Sequence, residues 1–424
     1  MSPRRVPAVA WTLLGASTMT TLGTLPVFLL SSQSVFVREE LGFDETHFGI
    51  AVSAFFASAA ASALLGGGLT DRMGRRRSTI AAGLVAAGGG FGVAGLTHSW
   101  AVLVLMLVIL GMANAACQVT SNLTMARAVP PHRRGLGFGV KQSAIPLSIM
   151  IAGLAVPTVG ALVGWRWTFA LTGIGGLGIA VAGLRVPREG AREKAAPADH
   201  DRPPMRALLI TMLAISLASA AANSLGSFVA SWGFQVGLTP GEAGILMAAG
   251  SAVNIVVRIV VGHLADRRHG RNLPVVAIQM VIGAVALAAL SVPTPYAVVP
   301  AGLVAFALGW SWPGLLLYAV VRVGRDAPGS ASGMVQAGAF VGGAAGPALF
   351  GAVVGATNYE TAWRLAALAF LAAALLVMLA RRMFIADLVA RPPVHPIGYG
   401  GGRTVPTHIT EPPGRSVPGD EPQH

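Results

Sequence analysis

Charged residues are scarce in this chain of 424 residues: only 11% are Asp, Glu, Lys or Arg, while 54% are hydrophobic. A soluble protein usually carries about 25% charged residues, so this composition excludes an ordinary soluble domain. Acidic residues are rarest, and all seventeen lie between apolar stretches, at their ends or in the C-terminal tail. We therefore expect no carboxylate deep inside the hydrophobic layer of a membrane.

Cysteine and catalytic motifs are nearly absent as well. The single cysteine, Cys117, lies in an apolar run, which excludes an intrachain disulfide and favours a small buried side chain. The histidines are scattered, neither HExxH nor CxxC spacing occurs, and there is no phosphate-binding loop. These absences argue against an enzyme, a bound metal, a cofactor or direct use of ATP.

Long apolar stretches make up most of the chain. A membrane-spanning helix needs about 20 predominantly apolar residues, and twelve such stretches occur, six on each side of a polar segment. The predicted spans lie near 8–36, 45–70, 78–97, 100–127, 135–162, 166–186, 206–233, 240–265, 273–291, 296–321, 329–356 and 362–383. This predicts an all-α membrane protein with an N-terminal six-helix half (1–187), a linker (188–205), a C-terminal six-helix half (206–384) and a disordered tail (385–424).

Basic residues account for the net charge of +13 and fall mostly in alternate gaps between the spans. With both termini inside the cell, cytoplasmic segments would hold 25 of the thirty Lys and Arg residues and external loops only three. This asymmetry predicts cytoplasmic termini in a plasma (inner) membrane, and the first span is too long for a cleaved signal peptide. The basic residues are not interleaved with aromatic ones, which argues against a nucleic-acid partner.

A charged motif occurs twice, after span 2 and after span 8. The first copy, Gly-Gly-Leu-Thr-Asp-Arg-Met-Gly-Arg-Arg-Arg, occupies 67–77, and the second, Gly-His-Leu-Ala-Asp-Arg-Arg-His-Gly-Arg, begins at Gly262. The aspartates of the two copies, Asp71 and Asp266, are 195 residues apart. Likewise, the Gly-Trp-Arg that opens span 6 returns as Ala-Trp-Arg at the start of span 12. A charged loop repeated at this spacing indicates a duplicated membrane unit.

With this repeated loop and its six-plus-six layout, the chain resembles the major facilitator superfamily over residues 8–384. The resemblance implies two pseudo-symmetric six-helix bundles and gate loops that latch the cytoplasmic side shut when the opposite side is open. The implied gate residues are Gly67, Asp71, Arg72, Gly74, Arg75 and Arg127 in the first half, and Gly262, Asp266 and Arg267 in the second. Arg127 is the candidate partner of Asp71. The alternative is that the arginines only set the topology.

Two shorter matches point towards anions. The Gly-Trp-Arg-Trp-Thr-Phe run at 164–169 and the Lys-Gln pair of span 5 look most like bacterial permeases of the cyanate and organic-anion type. The spacing of Asn254 and Arg258, followed by a glycine one turn later, resembles span 8 of monocarboxylate transporters, where the arginine binds the substrate carboxylate. Asn254 stands where that family has an aspartate, so the proton-linked part of its mechanism does not carry over directly.

Lys141 and Arg258 are basic residues inside predicted spans. A cation is costly in the hydrocarbon region and usually marks a cavity or pathway. Counting along the helices from Arg134 and Asp266 places them roughly 10 and 12 Å deep from the same side. Because no acidic residue lies near, an anionic substrate is the candidate counter-charge, held by the Arg258 fork and the Lys141 ammonium. The alternative is that Arg258 snorkels or contacts backbone carbonyls.

Amide side chains complete the predicted site. Gln142 and Gln336 occupy equivalent places in the two halves and could hydrogen-bond a substrate near the pseudo-twofold axis, with Asn254 and Gln33 as further contacts. Weaker cavity candidates are Asn122, Gln118, Asn223, Trp310 and Trp312. Any of these could instead make an interhelical hydrogen bond or pack inside the bundle. The prolines within spans 5, 10 and 11 are expected to bend their helices.

These features predict a secondary transporter that moves a small, carboxylate-like anion by alternating access, with the proton as a candidate coupling ion in symport or antiport. The alternatives are an exporter of hydrophobic, drug-like compounds and a non-transporting membrane sensor. A membrane-embedded acid is missing, and Leu107 stands where many proton antiporters carry an arginine four residues before a glycine, here Gly111; both disfavour the exporter. One chain supplies both halves, so we expect a monomer in the lipid bilayer.

Overall fold

The computed structural model describes residues 5–128, 140–186, 204–265, 272–323 and 328–391. Every regular element in these ranges is helical, and twelve helical segments are long and apolar enough to cross a membrane. The described part of the chain therefore confirms the predicted all-helical class and the number of spans.

The helices that form the spans follow the chain order. In the N-terminal half they are Arg5–Ser32 (span 1), Glu45–Leu96 (spans 2 and 3), Trp100–Ala128 (span 4), Ala144–Ala155 with Val156–Gly160 and Ala161–Val163 (span 5), and Trp165–Leu184 (span 6). In the C-terminal half they are Met205–Gln235 (span 7), Pro240–Ala265 (span 8), Asn272–Leu290 (span 9), Pro295–Val304 with Ala305–Gly309 and Trp312–Val323 (span 10), Pro328–Ala356 (span 11) and Tyr359–Ala390 (span 12). A short helix, Ser34–Leu41, lies between spans 1 and 2.

Two predicted boundaries are wrong by several residues. The first helix ends at Ser32, four residues before the predicted end of span 1, and the short helix follows directly. The last helix continues to Ala390, because no glycine or proline interrupts the sequence before Pro392. The predicted tail boundary after residue 384 is therefore six residues too early. Most of the linker and the tail beyond residue 391 lie outside the described residues.

The first charged motif is helical on both sides of a break at Gly74 and does not form the longer loop that the sequence predicts. It lies inside the helix Glu45–Leu96, in which only Gly74 leaves helical geometry, with a φ of 74° and a ψ of 163°. Glycine adopts a positive φ at low cost because it has no Cβ, so this one residue can break the helix axis. The change of direction between spans 2 and 3 is therefore concentrated at Gly74.

Helix distortions occur in spans 5 and 10, as their prolines predict. In span 5 a π-helical segment begins at Val156, next to Pro157. In span 10 the π-helical segment Ala305–Gly309 is followed by two non-helical residues, 310–311, just ahead of Pro313. Proline has no N–H to donate and its ring collides with the preceding turn, which accounts for both distortions. The break in span 10 exposes backbone groups that need partners from other helices.

The most extensive contacts between the two halves are those of span 1 with span 7, span 2 with span 11, and span 5 with span 8. Because the number of spans is even, the first and last helices begin and end at the same end of the bundle. We call this the termini end, and the opposite one the distal end.

The halves close against each other at the distal end. The hydroxyls of Ser34 and Ser231 are 2.7 Å apart, and the rings of Phe48 and Phe228 pack edge to face with centroids 5.2 Å apart. Main chains also touch, since a Cβ at Gly49 would collide with the backbone of the other half. We call these contacts the distal seal; it is formed by Ser34, Phe48, Gly49, Phe228, Ser231, Pro347 and Gly351.

Candidate functional site

A cavity lies between the two halves, on the termini side of the distal seal. In the three spans that supply seal residues (2, 7 and 11), and in span 1, which leads to Ser34, the cavity residues lie nearer the termini end than the seal residues do. The empty space between the lining side chains is about 840 Å³, a figure that includes the part open to solvent. The lining residues are Thr24, Phe28, Phe56, Asn114, Gln118, Gln142, Ile145, Ile215, Ser219, Asn223, Trp310, Trp312, Pro313, Leu317, Val335, Gln336, Ala339 and Phe340.

Five carboxamides converge on this cavity, three from the N-terminal half and two from the C-terminal half. They are Asn114, Gln118, Gln142, Asn223 and Gln336. Gln142 of span 5 and Gln336 of span 11, which the sequence predicts to act together, thus line the same cavity. The Asn223 amide nitrogen donates a 2.8 Å hydrogen bond to the carbonyl one turn earlier in its own helix, and its side-chain oxygen accepts none from the described residues.

Aromatic rings form the part of the wall nearest the distal seal. Phe28 of span 1 and Trp310 of span 10 pack edge to face with centroids 6.0 Å apart, so this contact joins the two halves. Both rings lie over Gly226, where a Cβ would come within 2.9 Å of Trp310 and 3.0 Å of Phe28. Glycine at this position is therefore what lets both rings pack against span 7. We call the Phe28–Trp310 pair the aromatic floor.

Lys141 is buried directly behind the cavity wall, with only 5% of its surface exposed. Its ammonium donates a 2.8 Å hydrogen bond to the side-chain oxygen of Gln118, one of the five cavity amides. Because the oxygen of Gln118 is used in this way, its NH₂ group is the part left to face the cavity. The lysine therefore acts on the cavity through a neutral neighbour.

Arg258 connects the two halves and is only 3% exposed. Its guanidinium donates to the backbone carbonyl of Gln142 at 2.6 Å and to that of Trp310 at 2.5 Å. The Gln142 carbonyl needs an outside donor because Pro146, four residues on, has no N–H. The Trp310 carbonyl lies at the break in span 10. Arg258 thus contacts backbone carbonyls, as the alternative interpretation of the sequence anticipates, while its buried Nε has no hydrogen-bond partner among the described residues.

Asn254, predicted to contact substrate, faces the backbone of span 10. Its amide nitrogen donates to the carbonyls of Phe306 and of the next residue, at 2.5 and 3.2 Å, and it is not among the residues lining the cavity. Gln279 of span 9 donates a 2.8 Å bond to the hydroxyl of Ser311 at the same break. Together with Arg258, these side chains hold the interrupted part of span 10 in place.

Gln33 is also away from the cavity, at the distal end of the N-terminal half. It is fully buried, and its amide nitrogen donates a 2.9 Å hydrogen bond to the hydroxyl of Thr168 in span 6. A Cβ at Gly160 would collide with its side-chain oxygen, so the glycine makes room for it. In the described conformation Gln33 therefore links helices within one half.

Neither buried cation is paired with a carboxylate of the described residues. The ion pairs found there are Arg38–Glu45, His47–Asp44, Arg166–Glu40 and Arg391–Asp387. The hydrogen bonds of Lys141 and Arg258 go only to neutral oxygens. Within the same ranges, no three His, Cys, Asp or Glu side chains are placed to hold a metal ion. The electrostatic character of the site is therefore set by two uncompensated positive charges.

The predicted gate residues are described only in part. The structure does not describe the side chains of Asp71, Arg72 and Arg127 or the surroundings of Gly67, and Asp266 and Arg267 lie outside the described residues. Gly74 forms the break between spans 2 and 3, with Arg75 partly buried beside it. Gly262 lines a smaller pocket of about 290 Å³ together with Arg258. The latch between the motif and the facing helices stays a prediction.

Several cavity residues were not identified from the sequence. Asn114 carries a usable signal, because it lies one helical turn before Gln118 in an otherwise apolar span and so faces the same side. Phe28, Phe56 and Phe340 carry none, because an aromatic residue in an apolar span is equally suited to the core. Of the weaker candidates, Gln118, Asn223, Trp310 and Trp312 line the cavity and Asn122 does not.

Comparison with known proteins gives one family. A family model described as the Major Facilitator Superfamily matches residues 9–336 and 211–403. The chain is 27% identical over 347 residues to a chloramphenicol resistance protein of Streptomyces lividans, covering 78% of this chain and 86% of that protein. It is 29% identical over 171 residues to a hexuronate transporter of Bacillus subtilis (40% of each chain). It is also 29% identical over 153 residues to a probable sulfoacetate transporter of Cupriavidus necator (35% and 34%).

The last two matches span two fifths or less of those relatives. Among solved structures, the chain is similar to the crystal structure of a bacterial homologue of the human lysosomal transporter Spinster, in an inward-facing and unoccupied conformation. The TM-score is 0.69 at 17% sequence identity, with 91% of this chain and 99% of that chain covered. At this identity the likeness shows the fold: twelve helices arranged as two halves around a central cavity.

Proposed function

Because the chain belongs to the major facilitator superfamily and is a multi-pass membrane transporter of that family, we propose that its solute is a small organic anion of the carboxylate class. The anion would occupy the central cavity and reach each side of the bilayer in turn as the two halves rock about it. With cytoplasmic termini in a plasma membrane, the distal seal would be the outer gate. One chain supplies both walls of the cavity, which favours a functional monomer.

The observation that carries the proposal is the pair of buried cations with neutral partners. Burying an unpaired charge costs several kcal/mol even after relaxation, unless an opposite charge compensates it. Lys141 donates to an amide oxygen and Arg258 to two carbonyls, and none of these acceptors cancels a full positive charge. An anion in the cavity would supply the missing negative charge.

The geometry also leaves hydrogen-bonding capacity for such an anion. The guanidinium has five N–H groups, and its described hydrogen bonds use only two of them. Gln118 and Gln142, the residues in contact with the two cations, themselves line the cavity. A carboxylate against this wall would lie one side chain from Lys141. A carboxylic acid can also bring its own proton, which keeps proton coupling open as part of the proposal.

The names of two relatives are consistent with an anionic solute but do not identify the solute of this chain. The hexuronate transporter and the probable sulfoacetate transporter are both named for anions. Neither is named for cyanate, so the resemblance to cyanate and organic-anion permeases enters here only as support for an anionic solute.

A second candidate is an exporter of neutral, drug-like compounds. The observation in its favour is the aromatic part of the cavity wall, together with a chloramphenicol resistance protein that matches 78% of this chain. In that case the cations would only support the fold, and charge on the solute would not matter for binding.

The test is binding and transport by the purified, full-length protein reconstituted in liposomes. Matched solutes with and without a carboxylate should be compared for thermal stabilisation and uptake. We expect stabilisation by the carboxylates, and its loss in Lys141→Gln, with the charge-keeping variant Lys141→Arg retaining part of it. Arg206→Gln removes an exposed positive charge at the start of span 7 and is the matched control.

The opposite result is equally well defined. The solute is not an anion if two results are obtained together. The solutes without a carboxylate would stabilise the protein as well as their matched carboxylates do, and Lys141→Gln would leave the stabilisation by both kinds of solute unchanged. Transport of neutral aromatic compounds that is unaffected by Lys141→Gln would instead establish the exporter.

A further inference from the structure

Three kinds of recognition group meet at the central cavity: two buried cations behind its wall, and five carboxamides and an aromatic floor that form part of the wall. A bare inorganic anion or a short carboxylate would use the cations and the amide donors, but neither the amide acceptors nor the aromatic floor. Resting on the proposed anionic solute, we infer that the solute is a cyclic carboxylate bearing several hydroxyl groups, as in the sugar acids.

The amides are the first reason. Carboxamides offer both donors and acceptors, and so do hydroxyl groups, whereas a carboxylate only accepts. One N–H of the Asn223 amide is used within its own helix, and its side-chain oxygen accepts no hydrogen bond from the described residues, so this residue presents an acceptor to the cavity. No carboxylate can satisfy that acceptor, but a hydroxyl can donate to it. The solute therefore needs at least one donor group on the side away from the cations.

The distribution of the amides between the two halves indicates how the solute is oriented in the cavity. Gln118 and Gln142 touch the two cations, and both belong to the N-terminal half. Asn223 and Gln336 lie on spans 7 and 11 of the C-terminal half. A solute with its carboxylate at the first pair and its hydroxyls at the second would contact both halves. Binding would then depend on how the halves are placed, as alternating access requires.

The aromatic floor accounts for the ring. The C–H faces of a saturated ring are apolar and pack against aromatic side chains, while the hydroxyls at its rim reach polar groups. Phe28 and Trp310 offer such a surface from opposite halves. Eighteen residues from both halves line the cavity, many more than a two-carbon anion could contact at once.

The experiment measures equilibrium binding to the full-length protein in lipid nanodiscs with four probes that differ by one feature each. D-glucuronate has ring, hydroxyls and charge; D-glucose lacks the charge; cyclohexanecarboxylate lacks the hydroxyls; acetate lacks the ring and the hydroxyls. We expect glucuronate to bind about tenfold or more tightly than any of the others, since each lost group removes one or more hydrogen bonds or contacts.

Two variants test the assignment of the amides. Asn223→Leu and Gln336→Met should each weaken glucuronate binding about five- to tenfold and leave cyclohexanecarboxylate binding nearly unchanged. Asn122→Leu, an exposed amide of span 4 outside the cavity, is the matched control. Agreement between the two cavity variants guards against a folding defect in either one.

The outcomes separate this inference from the proposed function. Cyclohexanecarboxylate or acetate binding as tightly as glucuronate, or no glucuronate binding while another carboxylate binds, would overturn the sugar-acid class and leave an anion transporter. Glucose binding as tightly as glucuronate, with no effect of Lys141→Gln, would overturn both. Glucuronate selectivity that survives Asn223→Leu and Gln336→Met would overturn the role given to these amides.

Discussion

Spans 4 and 10 hold corresponding places in the two halves but are built differently. They begin 195 residues apart, at Trp100 and Pro295, the same distance that separates the two copies of the charged motif. Span 4 is one uninterrupted helix to Ala128, whereas span 10 contains a π-helical segment and two non-helical residues. At the same offset, Gln118 of span 4 corresponds to Pro313 of span 10.

The two solutions serve a similar purpose. In the N-terminal half the side chain of Gln118 accepts the hydrogen bond of Lys141. In the C-terminal half the interruption of span 10 exposes the carbonyl of Trp310, which accepts a hydrogen bond from Arg258. The acceptor for the buried cation is therefore a side-chain oxygen in span 4 and a main-chain carbonyl in span 10. The main-chain solution needs extra support, which Asn254 and Gln279 provide.

The largest effect should distinguish the two cations. Arg258→Gln should abolish transport and lower the free energy of unfolding by about 2–6 kcal/mol, because two buried carbonyls lose their donor at about 1–3 kcal/mol each. Lys141→Gln should cost less stability, because it leaves only the oxygen of Gln118 without its partner. Thermal unfolding and liposome uptake measure both, with Arg206→Gln as control. Equal destabilisation by the two variants would contradict the comparison.

Asn254→Leu should come next. It removes the donor to two carbonyls at the break of span 10, with an expected loss of about 2–4 kcal/mol in stability. Anion binding should fall as a consequence, since Trp310 is displaced, but stability should change more than it does for any cavity amide. Asn122→Leu is the control, again read by thermal unfolding. A change in unfolding temperature no greater than that of the control would mean that the interrupted part of span 10 is stable without the Asn254 hydrogen bonds.

Pro313→Ala should make span 10 resemble span 4. Alanine supplies an N–H that can bond the carbonyl of Gly309, so the helix can close across the break and move the Trp310 ring. We expect solute affinity to fall about tenfold, or about 1.4 kcal/mol, with little loss of stability. The control is Pro300→Ala, an exposed proline inside the regular helix Pro295–Val304 of the same span. Unchanged affinity would show that the proline does not maintain the break.

The smallest effect belongs to Gln118→Met. Methionine keeps the length of the side chain but removes the acceptor of Lys141, so anion affinity should change by about 1 kcal/mol, roughly fivefold. Gln235→Met, at an exposed position at the end of span 7, is the control in the same binding assay. If Gln118→Met lowers anion affinity as much as Asn254→Leu does, Lys141 depends on this amide more strongly than its single hydrogen bond indicates.

Much of the architecture can be predicted from the sequence because membranes impose a strict length and polarity on each span. The twelve spans, most of their boundaries and the burial of Lys141 and Arg258 follow from counting apolar residues and isolated charges. Gln142 and Gln336 could be assigned to one place because the duplication relates spans 5 and 11. These inferences use only patterns that persist along the chain.

What could not be predicted depends on backbone detail. The π-helical segment of span 10 has no sequence signature beyond a nearby proline, so Asn254 was expected to face a solute when it faces the exposed carbonyls. Gln33 was misplaced for a related reason: a buried amide can serve a cavity or a neighbouring helix, and only the position of Thr168 decides between them. The break in the first charged motif lies at a single glycine, Gly74, whose positive φ cannot be predicted from its charged neighbours.

The distal seal has a consequence for the energy of opening. Where Gly49 meets the carbonyl of Pro347, the facing surfaces are main chain with no side chains between them. Water can hydrate such surfaces as soon as they part, so little free energy is lost there. The edge-to-face rings of Phe48 and Phe228 are different, because wetting them exposes apolar area. The threshold for admitting water from that side is therefore concentrated in one pair of rings.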